Sequence, residues 1–428
     1  MRTRFLLLIV LLAALIAGCA GQTPTPTPTP SPTPLPDPTD TAAPTTEAPA
    51  SATATPSGPA TCELAPLEFA PEPSIPDVTD DDHIKGPEEA SITFIEYADF
   101  QCPGCAAMTS IHEYLADVYG DDIRFVYRHL PLTTIHDKAV ITAEAAEAAA
   151  AQDSFWDMHD LLYERQEEWS QLPEDEMIDQ LVTYAEELDL DTDQFRQDLE
   201  DHVYRDEIMA EFEAYQEYGV MATPTFVVNK TFYPQMGLHP YAIQAFVDLV
   251  TDPLDQYEEV PPQVIDLDND YMATFETAAG DVVFELFAEQ APVNVNSFVF
   301  LAQDGWYDGM DFFLVQPDSA AHSGDPTGTG AALLGLSLPF AGYICGSEID
   351  EGLSFDEPGM LGLFAPAPDA NTGQFFVTYA PMPDLTGQLT VIGQVVEGME
   401  NLENLAARQP GPDQPEADTI TTITIEEN

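Results

Sequence analysis

Two cysteines separated by two residues, Cys102-Pro-Gly-Cys105, are the side chains in this sequence best suited to reversible covalent chemistry. A dithiol at that spacing can close into a disulfide and reopen by exchange with another thiol, since residues three apart share one face of a helix. The flanks indicate what positions it. Residues 91–97, Ser-Ile-Thr-Phe-Ile-Glu-Tyr, are β-rich and mostly apolar, while residues 106–119 carry apolar side chains at helical spacing. Cys102 is therefore expected to follow a strand and open a helix. The first N–H groups of a helix lack intrahelical partners and its dipole is positive there, which favours thiolate over thiol. A depressed pKa follows, with local N–H groups outweighing the opposing charge of Asp99 and of the acidic chain, which salt screens.

Two other readings of the motif compete. Half of a zinc site needs a second Cys or His pair at ligand spacing, and the sequence has none. A purely structural bridge rarely spans two residues at a strand-to-helix junction. No metal and no other cofactor is expected.

Composition narrows the function classes. The 428 residues are enough for two or three domains with real cores. Eleven basic against 76 acidic residues give a formal net charge of −65, which would repel phosphates and argues against nucleic-acid binding. The acidic residues are dispersed and lysine occurs only at 85, 138 and 230, the pattern of a solvated surface.

Arg2 and Arg4 precede an apolar run over residues 5–17, short for a membrane span and shaped like an export signal. The run ends in Ile16-Ala-Gly-Cys19, which resembles the lipobox of bacterial lipoproteins. That resemblance implies a signal peptide over residues 1–19 and a lipid on Cys19, with the membrane as a partner through the anchor; an ordinary cleaved signal is the alternative. Either places the mature chain outside the cytoplasm, where disulfides persist. Residues 20–61 are Thr-Pro and Ala-Pro repeats that cannot bury a core. They read as an extended tether reaching on the order of 120 Å at about 3.1 Å per residue.

A first globular domain is expected over residues 62–251. After the redox helix come a strand at 123–128, helical stretches near 137–151, 155–168, 174–188 and 193–218, a strand at 222–229 and a final helix near 240–250. Phe100-Gln-Cys-Pro-Gly-Cys105, Tyr127-Arg-His-Leu-Pro-Leu132, Phe155-Trp-Asp-Met-His-Asp160 and Ala222-Thr-Pro-Thr-Phe226 resemble the DsbA-like members of the thioredoxin superfamily. The resemblance implies an α/β thioredoxin fold interrupted by a helical insertion. It also implies that exposed Cys102 attacks or is attacked and that the deeper Cys105 resolves the mixed disulfide. Glu96 falls where the family places a buried acid assisting proton transfer; a surface carboxylate is the plain alternative. Thr223-Pro224 would form a cis-proline loop beside the dithiol, leaving the Thr223 backbone to pair with a substrate strand next to Pro103 and Gly104. DsbA has a His between its thiols. Pro103-Gly104 supplies no side-chain donor or cation, which implies a weaker oxidant.

An acidic linker over residues 252–269 leads to a second domain over 270–428. Residues 271–277 and 281–287 alternate around Gly280 as a hairpin, a helix starts near Pro292, and short strands with Gly and Pro turns follow, the pattern of a mainly-β barrel. Residues 291–301, Gly305-Trp-Tyr-Asp-Gly309, Gly324-Asp-Pro-Thr-Gly-Thr-Gly330, Gln374-Phe-Phe-Val377 and Val395-Val-Glu-Gly-Met399 resemble the cyclophilin family of prolyl isomerases. In that family an Arg donates to the prolyl nitrogen and weakens its amide conjugation. Here the family's Phe-His-Arg-Val reads Phe312-Phe-Leu-Val315, so Leu314 stands in place of the guanidinium. Other groove positions read Ser319-Ala320, His322, Asp384 and Leu389, and only Gln374, Phe376 and Leu385 keep the family's types. The resemblance therefore implies a cyclophilin-like barrel degenerate for isomerisation.

Cys62 and Cys345 remain once Cys19 is lipidated and Cys102 pairs with Cys105; they form either a second disulfide or two separate thiols. His129, His136 and His159 are read as structural or surface residues, and Trp156 and Trp169 as helix packing. The expected activity is thiol-disulfide exchange on exported proteins or peptides, outside the cytoplasm, with an unidentified redox partner. The alternatives are a prolyl isomerase or peptide-binding folding factor, and a scaffold in which both sites are silent.

Overall fold

A computed structural model describes residues 60–428 except 235–236, 332–337, 339, 366, 368 and 412–413. The expected signal peptide, Cys19 and the tether as far as residue 59 lie outside the described residues.

The first described strand, β1 (Cys62–Leu64), pairs antiparallel with β11 (Tyr343–Cys345) of the second domain, Cys62 directly opposite Cys345. Their sulfurs are bonded across a sequence separation of 283 residues. Residues 62–64 thus belong by pairing to the second domain, and the chain enters the first only afterwards, where Phe69 meets Phe246 edge-on at 5.2 Å. Breaking this bridge by Cys345→Ser removes a long-loop constraint from the unfolded chain and should cost about 2–5 kcal/mol. Urea denaturation with an intact-dithiol control would show the lower midpoint; an unchanged midpoint would mean the packing alone suffices.

The first domain is built on a five-stranded sheet. Its strands are β2 (His83–Lys85), β3 (Ile92–Ala98), β4 (Ile123–His129), β5 (Thr225–Val228) and β6 (Thr231–Phe232), in the order β2-β4-β3-β5-β6. β3 is central and almost wholly buried; it runs parallel to β4 and antiparallel to β5. The parallel pair needs a crossover, which α1 (Pro103–Tyr119) supplies. Pro103 occupies an early helical position, where its missing N–H costs nothing, and Gly120 ends the helix at φ 55°. On the buried face of α1, Met108, Ile111 and Leu115 pack with Phe94, Phe226 and the Ile243, Phe246 and Val247 face of α8 (Pro240–Thr251), while Cys105 faces Phe100 and Tyr127.

The helical insertion contains α2 (Ala139–Ala150), α3 (Phe155–Glu164), α4 (Gln166–Trp169), α5 (Glu174–Glu187), α6 (Thr192–Glu200) and α7 (Arg205–Glu217). Two continuous helices expected from periodicity are broken. The stretch 155–168 divides at Arg165, and 193–218 divides at residues 201–204, where His202 takes φ 54°. Apolar spacing persists across the first break because α3 and α4 face one core, which includes fully buried Trp169, whose indole donates to Leu162 O at 2.8 Å; across the second, α6 faces that same core while Phe212 and Tyr215 of α7 turn to the sheet beside Tyr97 and Val126. The strand expected over 222–229 shortens to β5, because Ala222 to Pro224 form a loop.

The linker is pinned rather than free. The Gln256 side chain exchanges two hydrogen bonds with the Leu67 backbone (2.7 and 2.8 Å), and Tyr257 N donates to Ala341 O (3.0 Å). The remaining elements of the second domain are β7 (Tyr271–Thr277), β8 (Val282–Leu286), α9 (Pro292–Gln303), β9 (Leu314–Val315), β10 (Ala320–Ser323), β12 (Met360–Leu363), β13 (Phe375–Thr378), β14 (Val391–Glu397), α10 (Met399–Glu403) and β15 (Ile420–Glu427). Eight of its strands form one sheet in the order β15-β7-β8-β14-β12-β13-β10-β9. The two edges meet through isolated bridges, Asp311 with Thr419 and Val315 with Arg408, instead of a continuous ladder. The core under the sheet is aromatic and aliphatic, centred on Phe275, Phe284, Phe298, Tyr307 and Phe375.

Candidate active site

The end of β3 delivers Asp99 to Cys102 onto the start of α1. Cys102 N donates to Asp99 O (3.0 Å), and Cys102 O accepts from Cys105 N and Ala106 N (3.1 and 3.2 Å), so Cys102 is the cap residue as expected. Gln166 on α4 fixes the same loop from outside, its amide donating to Phe100 O (2.7 Å) and Cys102 O (3.0 Å). No pattern in the sequence singles out Gln166, because its place depends on how the insertion folds back.

Cys102 and Cys105 are both free thiols here. Contrary to expectation Cys102 is not open to solvent: it is 8% exposed. The cause is the loop carrying the cis Thr223-Pro224 bond, which closes over the helix start. A Cβ on Gly104 would lie 3.0 Å from Pro224 Cδ, 3.5 Å from Leu238 Cδ1 and 3.6 Å from Cys102 Sγ, so the glycine permits this close approach. Pro103 is exposed beside it, and so are the apolar side chains of Ile135, Met221 and Leu238.

The Cys102 thiol is pulled down to about 5, in the expected direction. The leading cause differs from expectation: it is the hydrogen bond from the Cys105 thiol, ahead of the Thr223 side chain and the Cys105 and Gly104 N–H groups, and together these overcome the cost of burial. As a thiol, Cys102 donates to Thr223 O at 3.5 Å, a contact the thiolate gives up. Asp99 does not aim its charge at the sulfur. Its carboxylate accepts from Gln101 N, Leu132 N and His136 Nδ1, each at 2.8 Å, and so shapes the loop.

Burial pushes the Cys105 thiol well above the ordinary value, with the hydrogen bond to Cys102 adding to it. One turn inside α1, it faces a floor of buried polar groups. Glu96, 2% exposed at the middle of β3, is raised to about 8 by burial first and by the Cys102 charge second, so it is a buried acid and not a surface carboxylate. His112 Nε2 approaches Glu96 Oε2 at 3.2 Å, but burial lowers His112 to about 3, so this is a contact between two uncharged groups. Tyr127 and Tyr163 share a hydrogen bond of 3.0 Å, and burial raises both phenols. A neutral carboxyl beside a buried thiol can give or take one proton without leaving a bare charge in the interior.

The second candidate site lies on the outer row of the barrel. Leu314, His322, Phe376 and Gly362 are successive cross-strand partners on β9, β10, β13 and β12. Leu314 therefore occupies the row without offering a donor. His322 and Phe376 stack at 5.5 Å, Phe355 and Phe376 stack at 5.4 Å, and Leu385 and Leu389 pack against the Phe355 and Phe376 cluster. Gln374 is buried, and neither of its side-chain polar atoms has a hydrogen-bond partner; the same holds for His322 Nδ1. Of the three retained residues, Phe376 and Leu385 share this apolar cluster, and buried Gln374 lies two residues before Phe376, just ahead of β13.

Of the remaining histidines, His136 holds Asp99 and His159 is buried with Nδ1 on Asp160 Oδ1 (2.8 Å), both structural roles. His129 meets His83, which the motif reading passed over, at the Glu147 carboxylate.

Two family models match the chain: thioredoxin over residues 78–248, and cyclophilin-type peptidyl-prolyl cis-trans isomerase over residues 272–427. The Na(+)/H(+) antiporter NhaA 3 of Salinispora tropica is 47% identical over 156 residues, which are 36% of this chain but 22% of the antiporter. The chain thus spans about a fifth of the length of that relative. The peptidyl-prolyl cis-trans isomerase CYP18-1 of Arabidopsis thaliana is 35% identical over 157 residues, 36% of this chain and 96% of the isomerase. Among solved structures, a Cryptosporidium parvum cyclophilin-type isomerase is 29% identical with TM-score 0.32, covering 37% of this chain and 99% of that one. Oxidised BdbD of Bacillus subtilis is 23% identical with TM-score 0.31, covering 35% of this chain and 83% of that one.

Proposed function

Because this chain belongs, through residues 272–427, to the cyclophilin family and carries a DsbA-like thioredoxin domain ahead of it, we propose that it is a thiol-disulfide oxidoreductase of exported proteins. The observation that carries this reading is the asymmetric dithiol: Cys102 caps the start of α1 with its thiol drawn down to about 5, and Cys105, one turn deeper, is pushed up by burial near the buried acid Glu96.

In the oxidising direction the chain starts as the Cys102–Cys105 disulfide. A substrate thiolate attacks Cys102 Sγ, forming a mixed disulfide and releasing the Cys105 sulfur with the electron pair. Glu96 gives that sulfur its proton and recovers one from solvent. A second substrate thiolate then attacks the substrate sulfur of the mixed disulfide, leaving substrate oxidised by two electrons and Cys102 as thiolate. The reverse sequence reduces a substrate disulfide, and the redox partner sets which runs. The leaving group at Cys102 is good because its thiolate is stabilised. Exposed Ile135, Met221 and Leu238 around the loop suit an extended, partly apolar peptide. Export follows from the reading of residues 1–19, and anchoring from Cys19. Oxidative refolding of a reduced, cysteine-rich test protein measures the activity; a chain that neither oxidises nor reduces it would defeat the proposal.

A second reading is favoured by the outer row of the barrel, as a peptide-binding surface without efficient isomerisation. His322 Nδ1 and the Gln374 amide have unmet hydrogen-bond capacity beside Phe376, but Leu314 offers nothing to a prolyl nitrogen. Leu314→Arg should raise prolyl isomerisation by about tenfold or more, as expected when one transition-state donor is restored. Protease-coupled assay of a prolyl peptide would check it; comparable high rates before and after the substitution would show that the groove never depended on a guanidinium.

A further inference from the structure

We propose that His83, His129 and Glu147 form a binding site for a divalent transition cation of the zinc class. Glu147 Oε1 lies 2.6 Å from His83 Nε2 and 2.8 Å from His129 Nε2, and the three ligand atoms all fall within 4.8 Å of one another. Three separate elements bring them there: the edge strand β2, the end of β4 and the last turn of α2. Such convergence needs the assembled domain.

The donor set selects the metal. Two imidazole nitrogens with one carboxylate oxygen suit zinc and its neighbours in the first transition row, whereas calcium and magnesium take oxygen ligands. Metal–ligand bonds of about 2.0–2.2 Å in a tetrahedron place ligand atoms somewhat over 3 Å apart, so the contacts now made as hydrogen bonds need to open by about half an ångström. The imidazoles are held ready for this. His83 stacks on Phe155 at 3.5 Å with an interplanar angle of 7°, and His129 is fixed by Phe100 and Tyr127 at 5.9 and 5.3 Å.

The surroundings also favour a cation. The triad opens on a cavity of about 60 Å³ lined in addition by Asp81, Glu207 and Glu211. Asp82 lines it too but is engaged by Arg128 at 2.7 Å, while Glu211 makes no ion pair among the described residues. A water molecule or the Glu211 carboxylate is placed to complete four-coordination. A bound ion would tie the helical insertion to the sheet beside Phe100, two residues from Cys102. Its role is therefore to hold the scaffold of the dithiol, with no step of the exchange passing through the metal.

The test uses the full chain carrying Cys102→Ser and Cys105→Ser, which removes the thiolates that would otherwise take zinc. After stripping with chelator, it is dialysed against zinc chloride at high salt, so that dispersed surface carboxylates hold none, and its metal content is measured. About one zinc per chain is expected, falling to background in His83→Ala and in Glu147→Gln. Cobalt(II) in the same protein should give visible ligand-field bands that both substitutions abolish. His83 is half-buried on an edge strand, so His83→Ala remains decisive if Glu147→Gln does not fold. Retention of no zinc by the natively folded chain overturns the proposal, as does equal zinc content with and without His83; either shows that Glu147 only joins two histidines by hydrogen bonds.

Discussion

Serine in place of Cys102 should abolish disulfide exchange, while Cys105→Ala should leave the attack intact and accumulate the mixed disulfide with substrate. The first loss is complete, because among the described residues no other thiol is available to substrate: Cys62 and Cys345 are bonded to each other and Cys105 is buried. Alkylation of the reduced chain should follow a single midpoint near 5, the value to which Cys105, Thr223 and the helix N–H groups bring Cys102. The sign of the linkage follows. A lowered thiol pKa stabilises the reduced folded form fully above the unfolded thiol value of about 8.5, and the stabilisation fades as pH falls through about 5. Stabilising the reduced form makes the disulfide the more oxidising species, so a reduction potential between about −270 and −120 mV, the thioredoxin and DsbA values, is expected. A midpoint at or above that of free cysteine, with slow alkylation at neutral pH, would refute the assignment of Cys102 as the attacking sulfur.

Glu96→Gln has the second large expectation, with opposite effects on rate and stability. Glu96 titrates near 8 because it is buried, with the nearby Cys102 charge adding to the shift. The unfolded chain releases that proton near 4.5, so between about 4.5 and 8 the folded chain holds one proton more and loses stability as pH rises. Glutamine removes this penalty. The variant should gain stability progressively over that window, on the order of 3–5 kcal/mol by its upper end. At neutral pH its resolution step should slow by about 10²-fold, the usual effect of removing a positioned acid. Urea midpoints measured from pH 5 to 8, with mixed-disulfide decay over the same range, would test both. A variant as fast as the parent and lacking the inflection near 8 only in stability would reduce Glu96 to a buried acid with no part in proton transfer.

The residues doing covalent chemistry were legible because their requirements are local. A strand, two thiols one turn apart and a helix occupy adjacent sequence, and Pro103 and Gly104 carry their own conformational reasons for being there. The breaks at Arg165 and His202 were not legible, since apolar spacing continues through them and only the tertiary packing of each piece distinguishes one helix from two. Burial of Cys102 was not legible because the Thr223 loop, more than a hundred residues away, lies against its sulfur. The pairing of Cys62 with Cys345 stood open between a bridge and two thiols until strand register placed them face to face.

Sequence alone determined the dithiol, the two fold classes in their order, the acidic character and the absence of a guanidinium at Leu314, for these depend on residue type and short-range spacing. The tertiary structure decided what depends on dielectric and convergence: the inversion of ordinary ionisation at Cys102 and Glu96, the outside clamp by Gln166, and the meeting of His83, His129 and Glu147. Those properties arise where low-polarity packing removes water from a charge or brings side chains from distant segments within a few ångströms, and neither condition is written in any single stretch of chain.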